Sequence, residues 1–309
     1  VHIEIKLVIK INYIRPCTFI ESTSKGLPKL VMQTWRTEKM SNSWSLCRQS
    51  LLNSLPRDWT YVFITDESMY CFVQDEFPEL YDSFLELPHG VQKADVLRYL
   101  WLYKFGGVYL DLDYNVLKDF TKFIEDIDAP LSVLHSANTS FILTNSFIVA
   151  KKGLIFFYNL AQRSCKKPLG AWWSFTKHTD IMTSTGPLAF DNAVRQSGLA
   201  YCVLPNRLFL PDSPVLSNDI PEKDAFMIAV EGGTWNSFDT VIFNFVNKYK
   251  AFFIFLVICG LLSVILDRFI FSQHLYFLMK RVRNLLKKRN KNAFGLLDSA
   301  ITEITANIS

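Results

Sequence analysis

No two of the six cysteines (Cys17, Cys47, Cys71, Cys165, Cys202 and Cys259) form a C-x-x-C pair, and none stands at zinc-ligand spacing from a histidine. This argues against a zinc site and leaves the redox compartment open. Internal repeats and low-complexity tracts are absent as well. Net charge is scarce, +4 over 309 residues, so no overall basic field marks the chain as a nucleic-acid binder. The first residues, VHIEIKLVIKINYI, lack the uninterrupted apolar core of a signal peptide, because Glu4, Lys6 and Lys10 break it. Two expectations remain for that end: an anchor upstream of Val1, or a tail-anchored protein with a cytosolic domain. What the chain has in abundance is apolar surface. Half of it is apolar and 15% aromatic, which excludes disorder and is rich for a purely soluble protein.

No charge interrupts AFFIFLVICGLLSVIL, Ala251 to Leu266, and Phe269, Ile270 and Phe271 extend it past Asp267 and Arg268. The run is a little short of the roughly 20 residues a span needs. A buried core helix is the rival, but apolarity all round favours lipid. MKRVRNLLKKRNK, Met279 to Lys291, then concentrates positive charge. A basic run directly after an apolar span reads as a cytoplasmic flank on anionic lipid, which places the larger domain on the other, luminal side.

GGVYLDLDYN, Gly106 to Asn115, poses the chemical question. Asp is unfavourable on a half-buried pleat, since its short side chain competes for backbone hydrogen bonds. Alternation would put Asp111 and Asp113 on one face and Leu110, Leu112 and Tyr114 on the other. Two adjacent carboxylates repel unless one is protonated or a cation sits between them, and a hard divalent ion meets that need. The expectation is a metal site at a strand end. Solvated acids in a turn are the plain alternative, against which the apolar flanks count.

Around this stretch the pattern alternates strand and helix. LPKLVMQTW (Leu27 to Trp35) and WTYVFITDES (Trp59 to Ser68) read as strands. Ser43 to Leu55 has helical spacing and stops at Pro56, and a further helix contains Tyr70 to Phe77. VQKADVLRYLWLYKFGG, Val91 to Gly107, is a helix closed by glycine whose second half is apolar nearly all round. Asp95 and Arg98 lie one turn apart on it, as a surface ion pair or as a pair holding a ligand. SFILTNSFIVAKKG (Ser140 to Gly153) reads as a hairpin, or as a strand interrupted at Thr144-Asn145. TSTGPLAFDNAV (Thr183 to Val194) reads as a turn opening a helix. EGGTWNSFD (Glu231 to Asp239) is a glycine-hinged loop whose Trp235 is either a lid over a ligand or a membrane-interface residue. The expected class is an α/β sheet with helices on both faces and a ligand beyond the carboxyl ends of the strands. His89, His135 and His178 match no metal spacing, and Trp172 and Trp173 read as core before they read as a sugar platform.

In order and spacing, LPKLVMQTW, KADVLRYLWLYKFGGVYLDLDYNVL, TNSFIVAKKG, STGP and GGTW resemble glycosyltransferase family 32. That family has a D-x-D sugar-binding region, includes fungal mannosyltransferases, and shares its core with clostridial glucosylating toxins. The resemblance covers about Leu27 to Asp239. It implies a GT-A fold, a nucleotide-sugar donor and Mn²⁺ or Mg²⁺ held by Asp111 and Asp113, the latter as the more direct ligand. It also implies that Asp95 and Arg98 hold the donor's sugar and ribose region, with Tyr109 lining the pocket. Gln33, Thr34 and Trp35 would meet the nucleotide, Asn145 would join the donor site, and Trp235 would close over it. Two departures stand out: Met32 replaces a histidine frequent in the first-strand motif, and the histidine that many relatives place a few residues before the loop tryptophan is absent ahead of Trp235, where Glu231, Gly232 and Gly233 stand. Glu231 or Asn236 is then expected to complete the metal shell.

The organisation expected is an N-terminal arm over residues 1–26, a catalytic domain over 27–247, a transmembrane helix over 248–271 and a basic tail over 272–309. The activity expected is metal-dependent, retaining transfer of a hexose, mannose from GDP-mannose first. The acceptor would be membrane-associated, such as inositol phosphorylceramide or a glycan, in the Golgi or another endomembrane, with a regulatory subunit as a further partner and no nucleic acid. UDP-glucose or UDP-galactose is the alternative donor. A haloacid-dehalogenase-type phosphatase is a weaker rival, since Asn115 and the lack of a later Asp-Asp pair count against it. A two-carboxylate glycosidase would need no metal.

Overall fold

The structure, a computed structural model, describes residues 26–136, 141–166, 176–210, 224–230 and 249–289. The chain runs β1 (Leu30–Thr34), α1 (Asn42–Ser54), β2 (Thr60–Ile64), α2 (Asp66–Glu76), α3 (Pro78–Leu85), α4 (Gly90–Phe105), β3 (Gly107–Leu110) and β4 (Tyr114–Val116). It continues through α5 (Thr121–Glu125), β5 (Leu131–His135), β6 (Leu143–Ala150), α6 (Ile155–Cys165), α7 (Lys177–Ser184) and α8 (Pro187–Ser197). The last elements are β7 (Tyr201–Val203), α9 (Asn206–Phe209), β8 (Met227–Ala229) and α10 (Lys250–Arg289).

Six strands form a mixed sheet in the order β2-β1-β3-β6-β5-β7, and β4 pairs with β8 in a small second sheet. β1 lies parallel to both β2 and β3, while β6 runs antiparallel to β3 and β5. The carboxyl ends of β1, β2 and β3 therefore open on the same edge at which β6 begins. Alternation along β1 splits the core: Leu30 and Met32 join a cluster under α2, α4, α6 and α8, and Val31 joins one under α1, β4 and α9. The expected α/β layering, with helices on both faces of the sheet, is what forms.

Short polar signals place the helix starts. Ser41 caps α1 by accepting from Trp44 N at 3.3 Å, and Thr65 caps α2 by accepting from Ser68 N at 3.3 Å. The helix read to contain Tyr70 to Phe77 is α2, which is capped at Phe77 because Pro78 lacks the N–H needed to continue it and instead opens α3. α4 is buried on nearly every side, with Val96, Leu97, Tyr99, Leu100, Trp101, Leu102 and Phe105 in the core. It ends at Gly106 and Gly107, whose φ of 68° and 86° suit glycine.

Two readings change here. Ser140 to Gly153 contains one strand, β6, rather than a hairpin; Thr144 and Asn145 are buried within it, and its pairing with β5 jumps there from Ile148 to Thr144. The D-x-D pair is not in a strand: β3 stops at Leu110, and Asp111 to Asp113 form the turn into β4. The apolar alternation nevertheless persists through the turn, since Leu110, Leu112 and Tyr114 all enter one core cluster.

Chain contacts divide the protein into Val1–Asp239 and Thr240–Ser309. In the second unit, α10 runs 40 residues without a break, continuing past the span expected to end at 271. Ile254–Leu285 within it is long and apolar enough to cross a membrane.

Candidate active site

The clearest cleft of the first unit, about 310 Å³, lies at the sheet edge where β1, β2 and β3 end. Thr34 and Trp35 reach it from β1, Asp66 from the start of α2, Asp95 and Arg98 from α4, and Tyr109, Asp111 and Asp113 from β3 and its turn. Thr144, Asn145 and Ser146 close it from the start of β6. Backbone pairing fixes this junction, since Asp111 N donates to Ser146 O at 2.9 Å, one step beyond the Leu110–Phe147 register.

Asp95 and Arg98 are not a surface pair. They are 3% and 5% exposed and meet at 3.0 Å from Oδ1 to the guanidinium. Asn145 donates to the same Oδ1 at 2.9 Å, and the Thr185 hydroxyl donates to Oδ2 at 2.7 Å. Arg98 in turn donates to the Asn145 carbonyl at 2.6 Å, lies 3.5 Å from Asp111 Oδ1, and stacks over the Tyr109 ring at 4.2 Å. Its Nε is buried and has no hydrogen-bond partner among the described residues, so the guanidinium retains an uncommitted donor. One arginine thus joins a helix, two strands and the D-x-D turn.

The electrostatics set the two aspartates apart. Burial raises the Asp111 pKa, opposed by Arg98 and by a hydrogen bond from the Tyr109 hydroxyl. Burial, and then repulsion from Asp111, push Asp113 up to about 7. Asp113 has no salt-bridge partner among the described residues, and its carboxylate faces an acidic neighbour in a largely desolvated cleft. That donor set, two carboxylates whose repulsion Arg98 offsets only in part, fits a hard divalent cation. Among the described residues no third His, Cys, Asp or Glu joins them in a ligand cluster. Burial also raises Asp95, with Arg98 and Thr185 opposing it. Arg98 itself is lowered by burial but more than recovered by Tyr109, Asp111 and Asp95, so it stays charged.

Of the residues expected in the site, Thr34, Trp35, Asp95, Arg98, Tyr109, Asp111, Asp113 and Asn145 come together. Gln33 does not line the cleft. It is fully buried, donating to Asp111 O and accepting from the Tyr61 hydroxyl, both at 3.1 Å. Strand alternation turns it to the side opposite Met32 and Thr34, so it supports the turn from beneath. Glu231, Trp235 and Asn236, with Trp172 and Trp173, lie outside the described residues. His89 precedes α4, where its N–H donates to Gln92 Oε1 at 3.2 Å, and His135 is tied through its backbone to Asn206; neither lines the cleft.

Two contributors escaped the sequence. Trp44, in the first turn of α1, packs edge-on against Trp35 at 4.4 Å and adds a second indole to the cleft. Its helical spacing made it read as one more core position. Thr185 sat inside the STGP segment, but only its contact with Asp95 across 90 positions reveals its part.

The family profile for the "Glycosyltransferase sugar-binding region containing DXD motif" matches residues 41–130, a stretch that carries α4, β3 and the D-x-D turn. The chain is 27% identical over 251 residues to inositol phosphoceramide mannosyltransferase 3 of Schizosaccharomyces pombe, covering 81% of this chain and 67% of that protein. With mannosyl phosphorylinositol ceramide synthase SUR1 of Saccharomyces cerevisiae it shares 33% identity over 168 residues, which is 52% of this chain and 40% of that one. Among solved structures it aligns with the PaToxG glycosyltransferase at a TM-score of 0.42 and 16% identity, over 56% of this chain and 70% of that one; an overlap this loose says nothing of the site. The matched region and the shared mannosyltransferase sequences together make this chain a glycosyltransferase, whose residues 41–130 match a sugar-binding region containing a DXD motif.

Proposed function

We propose that the protein is a metal-dependent, configuration-retaining hexosyltransferase that moves mannose from a nucleotide sugar, GDP-mannose first, to a membrane-associated acceptor of the inositol phosphorylceramide type. The observation that carries the reading is the Asp95–Arg98–Asp111 cluster, buried at 3.0 and 3.5 Å beside a repelling Asp113. Asp111 and Asp113 would hold the Mn²⁺ or Mg²⁺, with Glu231 or Asn236 as the third protein ligand. When bound, the ion neutralises the donor's diphosphate as the glycosidic bond breaks.

The chain's own groups do the positioning. Arg98 offers a charged donor held in one orientation by Asp95, Asn145 and Tyr109, so little reorganisation is needed as negative charge develops on the leaving group. Asp95 is locked from three sides and presents a fixed acceptor toward the sugar's hydroxyls. Trp35, backed by Trp44, offers an apolar face to the base, and Trp235 would cover the donor. Asp111, the first acid of the pair and the one a phosphatase would use as its nucleophile, is engaged by Tyr109 and Arg98, which disfavours the phosphatase reading. Attack by the acceptor hydroxyl on the face that the leaving group vacates would then retain configuration.

The acceptor is inferred from the names of the mannosyltransferase relatives and from α10, whose candidate span would anchor the chain in a bilayer. The basic flank supports a luminal catalytic unit, in the Golgi or a related endomembrane. The test is transfer from a panel of GDP- and UDP-sugars to inositol phosphorylceramide by detergent-solubilised protein, with Mn²⁺ or with EDTA. Manganese-dependent transfer from GDP-mannose with retained anomeric configuration supports the proposal. A product of inverted configuration refutes the mechanism, and turnover of UDP-hexose alone reassigns the donor.

A further inference from the structure

α10 is too long for the task of crossing a bilayer. Its 40 residues extend about 60 Å at 1.5 Å per residue, roughly twice the 30 Å hydrocarbon core. Starting at Ala251, about 20 residues carry the helix to Ile270, which leaves Asp267 and Arg268 in the last turn, able to reach the interface. Ser272, Gln273 and His274 then interrupt the apolar character.

Leu275 to Met279 is again apolar on every side, and from Lys280 on the pattern becomes two-faced. With about 100° between successive residues, Leu275, Leu278, Met279, Val282 and Leu285 fall on one stripe, and Lys280, Arg281, Arg283 and Asn284 on the opposite one. Tyr276 and Phe277 sit one turn nearer the span, at the depth where aromatic belts form. Three members of the stripe, Leu278, Val282 and Leu285, are 56%, 41% and 61% exposed among the described residues. A helix with such a stripe standing free in water would leave all of that apolar surface wet.

We infer an interfacial helix: on a bilayer the unbroken α10 would bend at Ser272–His274, and residues 275–289 would lie along the membrane surface, with the Leu275–Leu285 stripe in the acyl boundary and the basic face on anionic phospholipid headgroups. Charge selects this occupant over a second copy. Seven Lys and Arg stand between Lys280 and Lys291, and no Asp or Glu between Asp267 and Asp298; two such stripes packed together would bring Arg281 and Arg283, which border the stripe, against like charges of the other copy with no acid to pair them, whereas an anionic leaflet complements them. Continuity with the span supplies the rest, since the segment emerges at the headgroup level already helical. The inference rests on reading Ala251 to Ile270 as the span.

The test is spin-label accessibility in the full-length protein, reconstituted into phosphatidylcholine vesicles with or without roughly one third phosphatidylserine. In a background carrying Cys17→Ser, Cys71→Ser and Cys202→Ser, native Cys259 reports the span; with Cys259→Ala added, single labels at Leu278→Cys, Leu285→Cys, Arg281→Cys and Asn284→Cys report the segment. The expected result is an oxygen-to-nickel accessibility ratio several-fold higher at 278 and 285 than at 281 and 284, falling toward a common value without phosphatidylserine. Uniform water exposure at all four positions with Cys259 buried overturns the inference and leaves a free stalk. Spin–spin broadening between labels assigns the stripe to a second copy, and lipid burial of all four extends the span. A water-exposed Cys259 removes the span reading itself.

Discussion

The Arg98 guanidinium lies 4.2 Å from the centre of the Tyr109 ring while pairing with Asp95 at 3.0 Å. The same group therefore serves stability and the site. Arg98→Ala leaves Asp95 buried without its counter-charge, expected to cost about 3–5 kcal/mol. Arg98→Lys keeps the charge but loses the planar fork to Asn145 O and Asp111, expected to cost on the order of 2 kcal/mol. Transfer should fall by about a hundredfold or more in both. Guanidinium unfolding with matched transfer rates checks the order, and an Arg98→Ala protein as stable as wild type refutes the network.

Gln33 offers a sharper separation between support and contact. Its side chain bridges the Tyr61 hydroxyl and the Asp111 carbonyl, so Gln33→Ala strands two buried polar groups at about 1–3 kcal/mol each. The protein should lose stability, and transfer should fall through the placement of the D-x-D turn, with the donor's nucleotide preference unchanged. A switch of nucleotide in this variant would put Gln33 back against the donor, contrary to its position here.

Two glycines with nearly the same φ should respond differently. At Gly107, φ 86°, a Cβ would stand 2.4 Å from Leu30 O in the adjoining strand, whereas at Gly153, φ 81°, nothing lies within 4 Å. Gly153→Ala is expected to cost only backbone strain, about 1–2 kcal/mol. Gly107→Ala adds displacement of β1, which carries Thr34 and Trp35 to the cleft, so soluble expression and activity should fall together. Equal melting temperatures for the two variants would contradict this register.

Much of this arrangement is legible in the sequence because separate signals agree. The buried helix α4, its glycine stop and the acids beyond β3 all follow from local pattern and turn chemistry. Asn145 was read as an interruption for a physical reason: a polar residue inside a strand looks like a break until its partner, Asp95, is known to lie opposite. Trp44 was hidden by the reverse ambiguity, since helical spacing cannot tell a core face from a cleft wall. Long-range partners such as Thr185 leave no local trace at all.

The unequal surroundings of the two aspartates yield the most direct metal test. Asp111 is engaged by Tyr109 and Arg98, while at Asp113 burial and repulsion from Asp111 outweigh a backbone hydrogen bond and the attraction of Arg98. Without metal, Asp113→Asn removes that repulsion and should leave thermal stability unchanged or raised. Asp111→Asn strips a counter-charge from Arg98 and should lower it. Added Mn²⁺ should then raise the wild-type melting temperature through mass action, worth about 2.7 kcal/mol at a hundred times the dissociation constant, and should shift neither variant comparably. Differential scanning fluorimetry of the three proteins, with and without Mn²⁺ and independent of any substrate, checks the pair. A wild-type shift retained in Asp113→Asn would take that carboxylate out of the metal site, and no shift in the wild type would leave the two acids without the cation their repulsion calls for.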